Sequence, residues 1–372
     1  MIPFVPQELP LAEVQWEPLI KSIGDARAAL AHYDGVLHGV PNTSLLLTPL
    51  TTREALLSSK IEGTIATMGE VYRFEAGETP ERQARKDEMQ EIINYRRALR
   101  YAERVLDGKP FHLNLLLALH EMLMDSVRGR DKSPGIFRRT QNYIGRPGSP
   151  IEEADFIPPE PRQMTHLLDN WEKYYHSDRP DPLVQLAIIH AQFEIIHPFN
   201  DGNGRIGRII IPIFLYEKGL IRSPMFYLSE YLERHRDEYI SRLRALGRSA
   251  GAWNEWIGFF LEAVREQAMS NSAKAREILA LYDRMKARVI DLTHSQFAIP
   301  ILDRMFEQPI FYSTQVLFPD GEGPRRQTIS VILNKLTKAE ILSVVVKGRG
   351  SRPGILSFTE LVRLSESEVA PH

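Results

Sequence analysis

Apolar residues recur at intervals of three and four through six stretches of the chain: 45–61, 89–106, 113–124, 164–175, 183–196 and 206–220. That spacing lines one face of a 3.6-residue period, so the main body is expected to be helical. Gly and Pro punctuate three other segments, Pro3 to Pro10, the polar run Phe74 to Gln83, and Arg146 to Pro150 leading on to Pro161. These read as a tail and two loops. Within 141–159, Tyr143, Ile144, Ile151, Phe156 and Ile157 flank a Gly/Pro turn in the manner of a β-hairpin, which would border a cleft. From Phe260 to Lys286 a run rich in Glu, Arg, Lys and Ala predicts a long surface helix leading to a separate C-terminal unit, with a boundary near Ile290.

Past Phe297 the pattern predicts helices over 301–307, 313–318 and 326–339, a turn from Asp320 to Pro324, and two apolar runs, 341–346 and 355–358, joined by Gly348 to Gly354. Helix, turn, helix and hairpin follow one another in the order of a winged helix-turn-helix. Arg325, Arg326, Lys335, Lys338, Lys347, Arg349 and Arg352 outnumber Asp320, Glu322 and Glu340, so the region is locally basic. A basic winged helix can place its second helix in a DNA groove, and it serves equally well for protein contact or homodimer formation.

Composition narrows the chemistry. With 43% hydrophobic and 25% charged residues, the chain of 372 residues has the make-up of an ordinary globular protein. The net charge of −2 means that any anion site must be local. There is no cysteine, which removes disulfides, thiolate metal sites and cysteine nucleophiles. The first ten residues lack a basic segment followed by a sustained apolar one, and the most apolar stretch, Ile209 to Tyr216, is interrupted by Pro212 and falls well short of the roughly 20 residues a membrane span needs. A soluble cytoplasmic protein without membrane contact is expected.

The densest chemistry lies in His197-Pro-Phe-Asn-Asp-Gly-Asn-Gly-Arg-Ile-Gly-Arg208. Gly202, Gly204 and Gly207 spell a GxGxxG, but residues 183–196 before it have helical spacing, and a dinucleotide fold needs a strand there. What remains is the shared physics: glycines at a helix start let backbone N–H groups approach a phosphate. Arg205 and Arg208, three apart, would share a face and grip one polyphosphate. Asp201 can help hold Mg²⁺ (or Mn²⁺) between phosphates, or simply cap the helix. His197 stands where a general base would act. A competing metal site would use His190, Glu194 and His197, with His120 and Glu121 as the only other tempting pair. They do not form H-E-x-x-H, and a buried, hydrogen-bonded His190 is the stronger expectation.

The whole string resembles the signature of the Fic (filamentation induced by cAMP) family, HPFx[DE]GNGRxxR, at every defined position. Gly135 to Arg138, Asp155 to Pro159 and Tyr227 to Leu232 also resemble the family, over roughly residues 40 to 265. The resemblance implies a mainly α, Fic-type helical core with a small β-hairpin flap that aligns the target protein by strand addition. It also implies transfer of AMP from ATP to a Tyr, Thr or Ser hydroxyl of a protein, including the protein itself, with release of pyrophosphate. His197 would take the hydroxyl proton, Phe199 anchor the loop, Asp201 support Mg²⁺, and Gly202, Asn203 and Gly204 line the phosphate cradle. Arg205 would bind the nearer phosphates and Arg208 the γ-phosphate. Doc-type kinases of this superfamily carry Lys where Gly204 stands, so Gly204 favours AMP transfer. Tyr227, Leu228 and Tyr231 are candidates for the adenine pocket, with buried aromatic packing as the equal alternative.

Ser58, Glu62 and Gly63 close a helical stretch, and alone they read as an ordinary helix end. Within a Fic-like protein they resemble the inhibitory pattern [ST]xxxE[GN]. That implies Glu62 pairing with Arg208 in place of the γ-phosphate; in some members the same glutamate also serves removal of AMP. The expected divisions are 1–95 with the inhibitory helix at about 50–63, a catalytic core at 96–265, a helical connector at 266–290 and a winged-helix unit at 291–372. The reading from another class is a DNA-binding regulator whose core senses nucleotide.

Overall fold

The computed structural model describes residues 2–39, 42, 46–106, 108–125, 132–145, 150–246, 248–249, 251–313, 324–348 and 353–367. In chain order the main body contains α1 (Ile20–His38), α2 (Thr48–Ile61), α3 (Met68–Glu75), α4 (Gln83–Val105), α5 (Leu113–Leu123), α6 (Met164–His176), α7 (Pro182–Ile196), α8 (Asn203–Glu217), α9 (Ser229–Arg234), α10 (Arg236–Ala245) and α11 (Ala252–Thr293). The C-terminal part follows with α12 (Ala298–Glu307), β1 (Ile310–Tyr312), α13 (Arg326–Lys338), β2 (Ser343–Val346), β3 (Ile355–Ser357) and α14 (Thr359–Glu366). The three strands form an antiparallel sheet in the order β1-β3-β2. No helix among the described residues is long and apolar enough to cross a membrane.

The helix α7 lies at the centre because its sequence is apolar on nearly every side. Pro182 opens it, and Asp181 caps it by accepting from the N–H groups of Leu183 and Val184 at 2.8 and 3.1 Å. Trp171 and Trp256 close over it and spend their indole N–H groups on the carbonyls of Ile189 and Ala187, so each buries a large ring with its one donor satisfied. Residues 183–196 are therefore helix, and no strand precedes the glycine loop, which removes the dinucleotide reading.

Several expectations change. The tail is ordered along the body: Leu9 exchanges two hydrogen bonds with Asn170, and Phe4 packs on Phe156 while its N–H reaches the Ile157 carbonyl at 2.9 Å. The polar run at 74–83 is only in part a loop, since α3 extends to Glu75 and α4 begins at Gln83. Helix α3 starts at a Thr67/Glu70 capping box. The hairpin over 141–159 reduces, among the described residues, to one antiparallel bridge, Ile144 with Phe156, beside a 3-10 turn at Ile151–Glu153. Prolines at 150, 158 and 159 remove the N–H donors a longer ladder would need.

The stretch from Phe260 to Lys286 is not a solvated connector. It belongs to a single 42-residue helix, roughly 60 Å long by its rise. That helix buries Val264, Ala268, Ala275, Ile278, Leu281 and Met285 as it passes α1, α7 and the C-terminal elements. Beyond it, the predicted helix at 313–318 lies outside the described residues except for Ser313. The turn from Asp320 to Pro324 lies outside them except for Pro324, and the joint from Gly348 to Gly354 is described only at its ends. Strand β1 and helix α14 were not anticipated.

Candidate functional site

Helix α7 ends on His197, whose backbone is left-handed at φ 50°, ψ 60°; the chain therefore turns sharply into Pro198 and Phe199. A non-glycine residue in that region has to be held there. Arg138 holds it: the guanidinium donates to the carbonyls of Ile196, His197, Thr140 and Pro159 at 2.6–3.3 Å, and the Arg138 N–H donates to Pro198 O at 2.9 Å. Burial draws the Arg138 pKa down to about 10, so the group still carries its charge at neutral pH. Asn142 adds a bond to the Phe199 carbonyl at 3.1 Å, so the segment after Gly135 braces the motif loop from outside.

Phe199 is fully buried and stacks on His120, with ring centroids 3.8 Å apart and planes 7° from parallel. Asn203 closes the loop from within: its side chain accepts from Phe199 N–H and donates to Phe199 O, both at 2.8 Å. His120 completes the frame. Its Nδ1 accepts from Gly135 N–H at 2.9 Å, which leaves Nε2–H to donate to the Asp201 carbonyl at 3.0 Å. Burial lowers its pKa to about 4, so the neutral ring is fixed in one tautomer. Gly202 opens α8 at φ 78°, where a Cβ would press on Met124 and Leu123. The N–H groups of the first turn, Asn203 to Arg205, belong to the part of a helix that cannot bond internally, the kind of end that suits an anion.

The two arginines do not share one task. Arg205 turns inward, pairing with Glu91 at 3.1 Å and with Asp201 at 3.6 Å. Arg208, also buried, donates through Nε to Ser58 Oγ at 2.8 Å, and through one terminal nitrogen to Ser58 O at 2.9 Å and Glu62 Oε1 at 2.7 Å. Glu62 is the C-cap of α2. Gly63 follows at φ 99°, with bonds from Gly63 N–H to Lys60 O and from Thr64 N–H to Ser59 O that make a Schellman ending. That ending aims Glu62 at α8. A Cβ on Gly204 would overlap Glu62 Oε1 where it now lies, so glycine leaves the room this placement of the carboxylate uses. Burial alone would push the Glu62 carboxyl up; Arg208, its hydrogen bond, Arg205 and His197 outweigh burial and hold it below the usual carboxylate range.

His197 is half-buried. Its Nδ1 lies 3.3 Å from the Glu194 carbonyl, which can only accept, so Nε2 keeps its lone pair. Burial, with Arg138 acting the same way, lowers its pKa to about 4, and the ring is neutral. Asp201 is less enclosed; its Oδ1 accepts from Gly202 N–H at 2.6 Å. No group of three or more metal-type side chains occurs among the described residues. One carboxylate beside an anion-binding helix end nevertheless fits Mg²⁺ that arrives with phosphate, since that ion takes one or two carboxylates and completes its shell with phosphate and water. The His190 metal reading fails: the ring is fully buried, with Nδ1 3.2 Å from Gly207 O and Nε2 3.0 Å from Tyr239 OH.

Of the adenine candidates, Tyr227 bonds through its hydroxyl to Thr51 at 2.8 Å, Leu228 is buried, and Tyr231 stacks on His235 at 4.1 Å. Sequence reading passed over Arg138 and Glu91 as site residues and weighed His120 only as a metal ligand. A buried charge whose partner lies 60 to 115 residues away leaves no local pattern to read.

A helix that ends on a left-handed histidine, a glycine loop and a second helix that carries two arginines make up one helical core. Residues 20–104 match the Fic/DOC family N-terminal model and residues 110–215 the Fic/DOC family model. The chain thus carries a Fic/DOC family core preceded by that family's N-terminal region. The protein adenylyltransferase Fic of Culex quinquefasciatus is 31% identical over 141 residues, 36% of this chain and 25% of that protein. That of Drosophila melanogaster is 31% identical over 140 residues, 36% of this chain and 26% of that protein. The chain spans about a quarter of the length of the curated relatives it matches. Among solved structures, a Fic family protein from Desulfovibrio desulfuricans G20 aligns with a TM-score of 0.56 at 21% identity, covering 95% of this chain and 98% of that one. Residues 134–508 of Fic-1 from C. elegans align with a TM-score of 0.51 at 18% identity, covering 72% and 75%. At these identities the structures speak for the fold.

Proposed function

We propose that this protein transfers AMP from ATP to a hydroxyl side chain of a protein and rests in an inhibited state. The observation that carries the reading is the Glu62–Arg208 pair at 2.7 Å, which occupies the arginine best placed for a terminal phosphate. In the working state the triphosphate lies along the N-terminal turn of α8, with Arg208 on the γ-phosphate. The target hydroxyl attacks the α-phosphorus, the bond to the β-phosphate bridging oxygen breaks, and pyrophosphate leaves. His197 accepts the hydroxyl proton at Nε2; the incoming phosphate charge raises its basicity from the low resting value. Mg²⁺, or Mn²⁺, would be held by Asp201 and phosphate oxygens, and its charge offsets that of the triphosphate. The bridge of Ile144 with Phe156 offers short extended backbone beside the site for a target segment.

The test is incubation with ATP labelled at the α-phosphate, using the wild type, Glu62→Gly and Glu62→Gly/His197→Ala. Label on protein that rises in the single variant and vanishes in the double one supports the reading; no label from Glu62→Gly sinks it. A second reading, a DNA-binding regulator with a nucleotide-sensing core, is favoured by the succession of α12, α13, α14 and a three-stranded antiparallel sheet in the C-terminal part, and by Arg325 and Arg326 at the start of α13. Sequence-specific DNA retention without label would select it. We assign the C-terminal part as a winged helix that contacts DNA or protein on the same grounds.

A further inference from the structure

Glu194 lies on α7, one turn before His197, and the mechanism above gives its carboxyl no role. Its Oε1 rests against α8 at Gly207, where a Cβ would overlap it, and that oxygen is buried without a hydrogen-bond partner. Gly204, one turn earlier on α8, receives Glu62 Oε1 in the same way. Two bare positions on one helix thus each admit a carboxylate, from two different helices, and Arg208 follows directly after the second. A carboxyl oxygen shut away from water with no donor is costly, and a packing role would be filled better by an apolar side chain.

We propose that Glu194 is a second acidic restraint on Arg208, a positioning residue that sets how firmly the guanidinium holds the terminal phosphate of ATP once Glu62 withdraws. This rests on the nucleotide reading given above. The titratable groups that act on the Glu194 carboxyl are Arg208 on α8, Glu62 on α2 and Tyr239 on α10. Burial pushes its carboxyl up to about 7, with Arg208 acting against that shift and Glu62 with it. The group is therefore neutral on the acid side of that value and charged on the basic side. Neutral, it leaves Arg208 free for phosphate. Ionised, it competes for the guanidinium and repels the γ-phosphate, so nucleotide binding weakens as pH rises. Removing Glu62 takes away one raising charge and moves the change toward lower pH.

The test is calorimetric binding of Mg²⁺ with α,β-methylene ATP to the full-length Glu62→Gly protein and to Glu62→Gly/Glu194→Gln, from about pH 5.5 to about pH 8.5. The Kd of the first should rise about tenfold across the range, while that of the second stays flat. In the same background Glu194→Asp, which keeps a carboxyl, should retain the rise. Parallel profiles for the carboxyl and amide variants overturn the proposal. No nucleotide binding by Glu62→Gly at any pH overturns the ATP reading and this inference with it. Diverging profiles without AMP transfer leave the restraint standing and sink the transfer reading alone.

Discussion

Gly204 and Glu62 are fitted to each other: the carboxylate oxygen of the one occupies the space a Cβ of the other would take. Gly204→Ala should therefore cost about 1–3 kcal/mol of stability in the parent protein, the usual range for overpacking. In Glu62→Gly only the Arg208 guanidinium, 3.0 Å from that Cβ, is left to give way, so the same change should cost less, with the higher helix propensity of alanine acting in its favour. Urea denaturation of the four proteins in the cycle measures this. Equal costs in both backgrounds would show that the two residues are not coupled.

Acid does not release the Glu62–Arg208 contact at ordinary pH. The folded carboxyl titrates below its unfolded value, so its contribution is present above the unfolded pKa of about 4.3 and is lost only as pH falls through the lower, folded value. Wild-type labelling should accordingly stay low at every pH at which the protein is handled, with Glu62→Gly higher throughout. A burst of wild-type activity near neutral pH would contradict this.

Arg138 should be sensitive out of proportion to its distance from any phosphate. Arg138→Met leaves the carbonyls of Ile196, His197, Thr140 and Pro159 without this donor. Two or more unsatisfied buried carbonyls imply a loss of roughly 2–4 kcal/mol. Arg138→Lys, with its point charge, should recover only part of that. Thermal melting gives the stability. In the Glu62→Gly background, AMP transfer should fall further than nucleotide affinity, because the displaced group is His197.

Arg53 ties α2 to α14. It donates to Ser365 O at 2.8 Å in α14 and pairs with Glu230 at 2.8 Å. Glu230 in turn meets Lys274 at 3.2 Å, and Lys274 donates to Ser367 O at 2.9 Å. Arg53→Gln should loosen α2 and raise basal labelling severalfold with Glu62 intact. Because it breaks a largely buried pair, it should also cost about 3 kcal/mol in urea melts. Destabilisation with unchanged labelling would place Arg53 in the scaffold alone.

The helical body was legible where apolar periodicity was strong, as in 89–106 and 164–175, because a helix that buries one face must show it. The 260–286 helix misled for the opposite reason: Gln267, Asn271, Ser272 and Lys274 are buried there, so the polar letters did not mark a solvated face. The motif from His197 to Arg208 and the Ser58-Glu62-Gly63 ending could be read because each is contiguous. The division of labour between Arg205 and Arg208 could not, since Glu91 and Ser58 reach them from distant turns. Of the flap, the described residues show one antiparallel bridge, because apolar residues on both sides of a Gly/Pro turn suggest a longer ladder even where prolines withhold the donors.

Helix α2 is fastened along its whole length. Arg53 joins it to α14, Thr51 and Glu54 join it to Tyr227 and Ser229, and Ser58 with Glu62 joins it to Arg208. The last of these lies at its C-terminal end, beside the left-handed Gly63, where Arg236 also donates to the Ile61 carbonyl at 3.0 Å. Lifting the whole rod out would sever every fastening at once, whereas unwinding its final turn would free the carboxylate and leave the rest seated. On the proposed reading, the restraint on Arg208 would then yield to a local change in the last turn of α2, around Gly63, with no displacement of the helix as a whole.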